Sequence, residues 1–342
     1  MKIAVVASPV TPLRPAQLGG AQAFVSDLAS GLAARGHEVT LHCAEGSVVA
    51  GVRLVTVPAP RDAQAALVMP GGGEPPPAPG VMAALKAMFE AIPADVDAIS
   101  QHAFDAPAFT LAQGRPVLHT LHLPPLVRDV VTAARTVPRE QLAAVSHSSA
   151  HAWAAERVEV GEVLPNGVPD EAVDLSRHDH VALIAGRISP EKGIEDAVAA
   201  AHEAGLPVRL AGAHYDPGYA PELDGVDLLG SLPRHELRRV MAASAVTICA
   251  VRWEEPFGMV AAEAQMAGCP VAAYRRGAMP EVVEDGVSGR LAQPDDVEAL
   301  TRAIEQCLRL DRMEVRASAR RRVSLDAALD RYEAALMRCA QR

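Results

Sequence analysis

The 342-residue sequence is poor in the features that mark several large classes of protein. Aromatic residues make up 3% of the chain, so its core has to be packed mainly with Ala, Val and Leu. The net charge is −10, which argues against nucleic acid as the main partner. No apolar run reaches the 18 residues of a membrane span, and the start MKIAVVASPV is too short for a secretory leader. We therefore expect a soluble protein without an integral membrane segment.

Cysteine is scarce as well. The chain has five cysteines, an odd number, and no two of them have the CxxC spacing of a redox or zinc site. Reduced thiols in a cytoplasmic protein are the simplest account, because disulfides persist mainly in oxidising compartments. The five are Cys43, Cys249, Cys269, Cys307 and Cys339.

The chain does have a high apolar content, 49%, and a length that exceeds the usual limit of one core. Ile3–Ala7 reads as a buried strand, and a helix ending at Gly36 and a strand at 37–43 follow it, which is a βαβ unit. The same pattern restarts at residue 181. We therefore predict an α/β protein with two doubly wound domains. The predicted domains are residues 1–168 with a C-terminal helix at about 323–342, and residues 169–322.

Two segments depart from this pattern. Residues 58–80 hold seven prolines and four glycines in 23 residues. We interpret this segment either as a lid on the acceptor side or as a mobile loop with no direct role. The basic run RASARRR at 316–322 is interpreted as a solvated helix face, with a phosphate or membrane patch as the alternative.

Two cations follow a predicted strand in the stretch GRISPEKG. Arg187 ends the strand, and Lys192 lies five residues later, just before a helix. Ligands of open α/β sheets bind beyond the carboxyl ends of the strands, and helix N-termini attract anions. The pair therefore suits a diphosphate, although two ordinary exposed cations would look the same.

Paired glycines, Gly19 and Gly20, lie between the first strand and the first helix. Glycines let backbone amides approach an anion closely, but the pair is equally consistent with a turn. The sequence lacks GxGxxG and GxxxxGK[ST], so neither a dinucleotide fingerprint nor a P-loop is predicted.

Glu255 and Glu263 are eight residues apart across a Pro-Phe-Gly step. If a helix starts near Met259, Glu255 lies in the loop and Glu263 in the second turn, so they face different regions. The free amides at Gly258, Met259 and Val260 can then receive phosphate oxygens between them. Glu263 could accept hydrogen bonds from a ribose and Glu255 from a sugar. The alternatives are an acid–base dyad, or one capping and one surface glutamate.

Several histidines are closely spaced, which raises the question of a metal site. None has a convincing third ligand and HExxH is absent, so we predict no metal. On one strand, His119 and His122 would point to opposite faces, so at most one faces the cleft unless the strand has ended. His102 ends another strand, where it either contacts an acceptor or lies in solvent. The spaced pairs are His119 with His122, His147 with His151, and His178 with His180.

The stretch EEPFGMVAAEAQMAGCPVAA resembles the signature of the family 4 retaining glycosyltransferases. The likeness covers nearly the whole chain, since TLHLP, LPNGV, GRISPEKG, LLGSLPRHEL and PEVVEDGVSGRL occur in the family's order. It implies the GT-B fold, in which two Rossmann-like domains face each other across a cleft and the C-terminal helix returns to the first domain. The N-terminal domain would then bind the acceptor and the C-terminal domain the nucleotide-sugar donor. Ala278 stands where a second glycine is common.

The resemblance also implies roles for single residues. Arg187 and Lys192 would hold the donor diphosphate, Glu255 the donor sugar and Glu263 the ribose. His122 would contact the donor sugar near the reacting carbon. Gly20 would close on the β-phosphate, Leu232 would contact the base through its backbone, and the amides of Met259 and Val260 would bind phosphate. The predicted catalytic set is His122, Arg187, Lys192 and Glu255, and the predicted donor-binding set is Gly19, Gly20, Arg187, Lys192, Leu232, Glu255, Phe257, Gly258, Met259, Val260 and Glu263.

The implied reaction is metal-independent sugar transfer with retention, without a cofactor beyond the substrate nucleotide sugar. UDP is the favoured nucleotide, with GDP and dTDP behind it. We expect a small-molecule or oligosaccharide acceptor, and a composition rich in Ala, Arg and Pro favours natural-product (antibiotic oligosaccharide) biosynthesis. The alternatives are a lipid-linked or thiol-pathway acceptor, a nucleotide-sugar epimerase, and a non-enzymatic nucleotide-sugar sensor. The oligomeric state is not predicted.

Overall fold

A computed structural model describes residues 1–14, 19–63, 75–176, 178–214 and 218–341. The chain divides into two compact units. Unit 1 comprises Met1–Pro15, Ala21–Pro165 and Ala328–Arg342, and unit 2 comprises Ala16–Gly20 and Asn166–Ala327. From the sequence we place the boundary between residues 168 and 169.

The described residues form thirteen short strands, built largely from apolar and β-branched residues. The first strand is typical: Lys2, its first residue, is exposed, and the four residues that follow are apolar and buried. The strands are β1 (Lys2–Val6), β2 (Glu38–Ala44), β3 (Arg53–Val57), β4 (Ala98–Gln101), β5 (Val117–Leu121), β6 (Leu142–Ala144), β7 (Glu162–Val163), β8 (Ala182–Ala185), β9 (Val208–Ala211), β10 (Val226–Gly230), β11 (Val246–Cys249), β12 (Val271–Tyr274) and β13 (Gly289–Ala292).

Twelve α-helices connect and cover these strands within the described ranges. None of them has an apolar stretch long enough to cross a membrane. They are α1 (Gly20–Ala34), α2 (Pro79–Glu90), α3 (Ala106–Leu111), α4 (Arg128–Ala134), α5 (His147–Ala155), α6 (Ile194–Glu203), α7 (Arg234–Ala243), α8 (Met259–Met266), α9 (Met279–Val282), α10 (Val297–Cys307), α11 (Arg312–Arg322) and α12 (Leu325–Ala340).

Both units have the doubly wound topology. The sheet of unit 1 has the order β3-β2-β1-β4-β5-β6-β7 and that of unit 2 the order β10-β9-β8-β11-β12-β13. All pairings are parallel, for example Ile3 with Val39 and Leu183 with Thr247. The strand order reverses at β1/β4 and at β8/β11. We call the side of each sheet on which the carboxyl ends of its strands lie the carboxyl edge. Ligands of such sheets bind beyond this edge, at the strand reversal.

The C-terminal helix α12 belongs to the packing of unit 1, as predicted. Its residues Leu329, Tyr332 and Leu336 are buried. A Cβ atom at Gly31 of α1 would lie 2.6 Å from a methyl carbon of Leu329, so the small residue allows the two helices to approach closely. At the solvent side, Arg35 donates to Glu333 at 2.9 Å.

The Pro/Gly-rich segment predicted at 58–80 can be followed in part. Residues 64–74 lie outside the described ranges, and with them most of the predicted lid or loop. Beyond them, α2 begins at Pro79. Proline is common in the first helical turn because its fixed φ suits a helix and its missing N–H would have had no acceptor there. The Asp62 carboxylate accepts from the Gly80 amide at 2.7 Å and so connects the two sides of the segment.

Candidate functional site

The predicted helix start after Phe257 is present in unit 2. Gly258 has φ 95°, a left-handed conformation that L-residues rarely adopt, and α8 begins at the next residue, Met259. A Cβ atom at Gly258 would lie 2.1 Å from the terminal methyl carbon of Met279, so the position admits only glycine without rearrangement. The first amides of a helix have no intrahelical acceptor. The loop from β11, next to the strand reversal, therefore delivers amides of Gly258, Met259 and Val260 to the carboxyl edge.

Glu255 lies in this loop, three residues before Gly258, and two donors hold its carboxylate. Lys192 Nζ and Trp253 Nε1 each donate to Glu255 Oε2 at 2.8 Å. Lys192 also lies 5.5 Å from the centre of the Trp253 ring, within cation–π range. The Glu255 carbonyl accepts from the amide of Ala278 at 2.9 Å, so side chain and backbone are both fixed.

Arg187 precedes a 3₁₀ turn, Pro190–Lys192, between β8 and α6, and Lys192 is the last residue of this turn. Arg187 Nη2 donates to Glu191 Oε1 at 3.1 Å, and Ser189 Oγ donates to the same oxygen at 2.7 Å. The turn is packed against the chain that follows β11, because the Glu191 carbonyl accepts from the Arg252 amide at 2.9 Å. Contacts between neighbouring crossover loops therefore bring together four charged side chains, which we call the ion-pair cluster: Arg187, Glu191, Lys192 and Glu255.

Gly193 fixes the geometry of the same turn. It has φ 60°, and a Cβ atom there would lie 1.9 Å from the Ala250 carbonyl oxygen. Only glycine lets the turn approach the end of β11 so closely. Lys192 thereby reaches Glu255, which is 63 residues further along the chain.

Glu263, one turn inside α8, takes a different partner from Glu255. Arg234 Nη2 donates to Glu263 Oε1 at 3.1 Å, and both side chains are less than one fifth exposed. Arg234 opens α7, two residues after the half-buried Leu232. Sequence reasoning missed Arg234 as a site residue, although it lies in the quoted motif LLGSLPRHEL. Lys192 and Arg234 thus hold the two glutamates separately.

Gly19 and Gly20 lie where the loop after β1 enters α1, and Gly20 is the first helical residue. Residues 15–18 of this loop lie outside the described ranges. The predicted contact of Gly20 with a phosphate stays a prediction.

In unit 1, His119 and His122 have different surroundings. His119 is the third residue of β5, and its ring stacks on Phe109 with the centres 4.9 Å apart. His122 follows the last residue of β5, and its Nε2 lies 2.9 Å from His102 Nδ1. Burial lowers the pKa of His119 to about 3 and that of His122 to about 4, so both rings are neutral near pH 7.

His102 is buried, so the alternative that places it in solvent is wrong. Burial, and then the neighbouring His122, hold its pKa well below the ordinary value. The sequence reasoning did not pair it with His122, although the two residues follow strands that are neighbours in a doubly wound sheet. Among the residues described, no group of three His, Cys, Asp or Glu side chains could hold a metal ion.

The basic run at 316–322 is not simply a solvated face. It belongs to α11, and Arg316 is buried, where it donates to Asp170 Oδ1 at 2.7 Å and to the Glu171 carbonyl at 2.6 Å. Arg320 donates to the other carboxylate oxygen of Asp170 at 2.8 Å. The interpretation of this run as a solvated helix face was wrong for Arg316. Its partner Asp170 is 146 residues away in the sequence, so the local pattern did not indicate the buried ion pair.

All five cysteines are buried, and none of them forms a disulfide. Burial raises the pKa of Cys249, at the end of β11, to about 12. The thiol next to the ion-pair cluster is therefore protonated and acts as an apolar packing group.

Comparison with known proteins gives two family models that match consecutive parts of the chain. Residues 18–172 match Glycosyltransferase Family 4, and residues 171–323 match Glycosyl transferases group 1. The D-inositol 3-phosphate glycosyltransferase of Mycobacterium marinum is 35% identical over 152 residues, which cover 40% of this chain and 32% of that protein. The matched region spans about a third to just over half the length of the curated relatives.

Several solved structures resemble the chain over nearly its full length. AviGT4, a glycosyltransferase involved in avilamycin A biosynthesis, superposes with a TM-score of 0.74 at 22% identity, covering 99% of this chain and 98% of its own. Alr3699/HepE from Anabaena, in complex with UDP and glucose, superposes with a TM-score of 0.71 at 19% identity, covering 98% and 99%. At these identities the likeness establishes the fold.

Proposed function

Since the chain belongs to the family 4 glycosyltransferases and has their GT-B fold, we propose that it transfers a sugar from a nucleoside-diphosphate sugar to a small acceptor. In this proposal unit 2 binds the nucleoside diphosphate of the donor, and unit 1 binds the acceptor. The product keeps the configuration of the donor's anomeric carbon.

The ion-pair cluster carries the proposal. Arg187 and Lys192 are held by carboxylates in partly buried positions, with side-chain exposures of 23% and 20%. Glu255 connects Lys192 directly to the loop that starts α8. A diphosphate at this place would receive charge-assisted hydrogen bonds from both cations and from the first amides of the helix. Lys192 would then move its hydrogen bond from Glu255 to a phosphate oxygen, which frees Glu255 for a sugar hydroxyl.

We propose the following reaction at this site. The bond between the anomeric carbon and the phosphate oxygen breaks, and its electron pair leaves with the diphosphate. Arg187 and Lys192 stabilise this developing charge, so in our proposal two side-chain cations supply what a metal ion could supply elsewhere. The acceptor oxygen forms the new bond on the face that the diphosphate leaves, and its proton passes to the departing phosphate oxygen.

Retention is proposed without a covalent intermediate. Glu255 is the carboxylate of the ion-pair cluster nearest α8 in the chain. When Lys192 turns to the phosphate, Trp253 Nε1 still donates to Glu255 Oε2, which suits binding of hydroxyls better than nucleophilic attack. Isolation of a glycosyl adduct on the enzyme would contradict this part of the proposal.

We infer UDP as the nucleotide, because the similar Alr3699/HepE is known with UDP and glucose. Natural-product (antibiotic oligosaccharide) biosynthesis is the inferred setting, for which the likeness to AviGT4 is circumstantial support. A cyclitol-phosphate acceptor is the second candidate, since the M. marinum relative is named D-inositol 3-phosphate glycosyltransferase. A cytoplasmic location stays a prediction.

Thermal unfolding with UDP, GDP, ADP and dTDP tests the donor site. A ligand that binds only the folded state raises its stability by RT ln(1 + [L]/Kd), so UDP should raise the midpoint most and a Lys192→Ala variant should lose much of the rise. No rise with any nucleotide would contradict the proposal. Release of nucleoside diphosphate that depends on added acceptor separates a transferase from an epimerase or a sensor.

A further inference from the structure

Three polar side chains form a buried chain of hydrogen bonds at the carboxyl edge of unit 1. Ser100 Oγ lies 2.8 Å from His102 Nε2, and His102 Nδ1 lies 2.9 Å from His122 Nε2. Ser100 is on β4, next to the strand reversal, His102 follows β4, and His122 follows the adjacent strand β5. We call these three residues the relay.

The relay ends on an unsatisfied atom. His122 Nδ1 is buried, and it has no hydrogen-bond partner among the residues described. Buried polar atoms are rarely left unpaired in folded proteins, and those that are need an explanation. His122 lies at the carboxyl edge, one strand from the reversal, which is where doubly wound units bind ligands.

Counting protons selects one arrangement of the relay. Each neutral imidazole carries one N–H, and the bond between the rings uses one of them. If His102 Nδ1–H donates to His122, then Ser100 donates its O–H to His102 Nε2, and a single group, the Nδ1–H of His122, is left over. If His122 Nε2–H donates instead, the Ser100 O–H and His122 Nδ1 are both left without a partner in the described structure. Because each unpaired buried group is unfavourable, the first arrangement is favoured.

Aromatic rings hold the relay in place. The Phe24 ring of α1 lies 6.2 Å from that of His122, and the Tyr332 ring of α12 lies 6.0 Å from that of His102. Tyr332 in turn donates to Thr120 Oγ1 on β5 at 3.4 Å. The imidazoles therefore have little freedom to turn, so the direction of the free N–H is fixed.

We propose that Ser100 and His102 are positioning residues that keep His122 in the Nδ1–H form. His122 then presents a fixed N–H donor to an oxygen of the donor sugar. The inference rests on the proposed function for the identity of the ligand. The relay itself does not depend on it. A neutral donor suits a sugar hydroxyl, which carries no charge.

Nitrogen NMR of the histidine-labelled enzyme tests the relay directly. Two-bond correlations between ring protons and ring nitrogens distinguish the two neutral forms, and spectra of His102→Asn and His122→Asn assign the signals. At pH 7 both rings should carry the proton on Nδ1. A proton on Nε2 of His122, or a charged ring, would overturn the proposal even if the enzyme transfers sugar as proposed.

Kinetics then test what the relay does. His102→Leu removes the donor to His122, and we expect kcat/KM for the nucleotide sugar to fall by roughly tenfold, the effect of one hydrogen bond, while affinity for UDP is unchanged. His102→Asn keeps an N–H near the position of Nδ1 and should recover most of the loss. His119→Asn, on β5 but outside the relay, is the matched control for removal of a buried histidine.

The outcomes separate two kinds of failure. If His102→Leu and His102→Asn lose activity equally and in proportion to their thermal stability, the relay is only a packing feature and the inference is wrong. If the wild-type enzyme shows no transfer with any donor, the proposed function fails, while the NMR result still decides the form of His122.

Discussion

The carboxyl edges of the two sheets hold opposite kinds of polar side chain, although both units are doubly wound. In unit 1 the edge carries neutral histidines, buried between aromatic rings and joined in a relay. In unit 2 it carries full charges, each held by an ion of opposite sign, as in the pairs Arg187–Glu191 and Lys192–Glu255. The same topology thus provides a surface suited to uncharged hydroxyls in unit 1 and a surface suited to a negatively charged diphosphate in unit 2. In our proposal the fold determines where the ligand binds, and the side chains after each strand determine which ligand it is.

The largest expected effect comes from removing the cations of unit 2. Arg187→Ala and Lys192→Ala each delete a charge-assisted hydrogen bond of about 1.5–3 kcal/mol, so each should lower kcat/KM by roughly 10- to 100-fold. Acceptor-dependent UDP release is the measurement. Arg302→Ala, which breaks an exposed pair with Glu298 on α10, is the control and should change little. If the site variants and the control behave alike, Arg187 and Lys192 do not hold the donor diphosphate.

Gly258→Ala alters the helix start in unit 2 without changing a charge. A non-glycine residue with positive φ costs about 1–3 kcal/mol, and the new methyl group would also displace Met279. We expect the unfolding midpoint of unit 2 to fall by roughly 2–10 °C and nucleotide affinity to fall with it.

Gly225→Ala is the matched control for this change. Gly225 has φ 74°, and a Cβ atom added there would have no neighbouring atom within 4 Å, so the variant isolates the backbone strain. An equal loss in both variants would show that the close approach of Met279 is unimportant.

Acid should weaken unit 1 through its buried histidines. A base whose folded pKa lies below its unfolded value binds more protons when unfolded, so stability is present above about pH 6.5 and is lost as the pH falls towards the folded pKa. For His119, with a folded pKa of about 3, the expected loss between pH 7 and pH 5 is about 2 kcal/mol. Urea unfolding at both pH values should show this loss in the wild type and a smaller one in His119→Leu. The exposed His151 of α5 supplies the control, His151→Leu, and an unchanged loss in His119→Leu would contradict the account.

The smallest expected effect concerns Glu263. Glu263→Gln keeps a hydrogen-bond partner for Arg234 but removes the negative charge of the carboxylate that we propose accepts from the ribose hydroxyls. Affinity for UDP should therefore fall by roughly three- to tenfold. Inorganic pyrophosphate has no ribose, and its affinity should not fall. Calorimetry with both ligands distinguishes the two contributions, with Glu305→Gln on the exposed face of α10 as the control. An equal loss for both ligands would place Glu263 with the diphosphate instead.

Much of unit 2 could be predicted because the decisive signals are local. The break at Pro256 and Gly258 places the start of α8 at Met259, and it thereby separates Glu255 in the loop from Glu263 in the helix. The two-residue strand β7 and the short β13 gave no such signal, because neither has a long apolar run bounded by turns.

The long-range pairs could not be read from the sequence. Arg316 looks like one of several surface arginines until Asp170, far away in the chain, is seen beside it. His102 and His122 are 20 residues apart and meet only because β4 and β5 are adjacent. Arg234 was visible in its motif, but its pairing with Glu263 depends on the packing of α7 against α8. Local patterns predicted the elements, and tertiary packing decided the partners.

Calorimetric titration with UDP tests the division between the two edges most directly. The Arg187→Ala/Lys192→Ala double variant removes the cations of unit 2, and His102→Asn/His122→Asn alters the relay of unit 1. We predict that the first variant binds UDP at least about 100-fold more weakly than the wild type, whereas the second stays within about threefold of it. Unchanged affinity in the first variant, or the greater loss in the second, would contradict the assignment of the diphosphate to the ion-pair cluster.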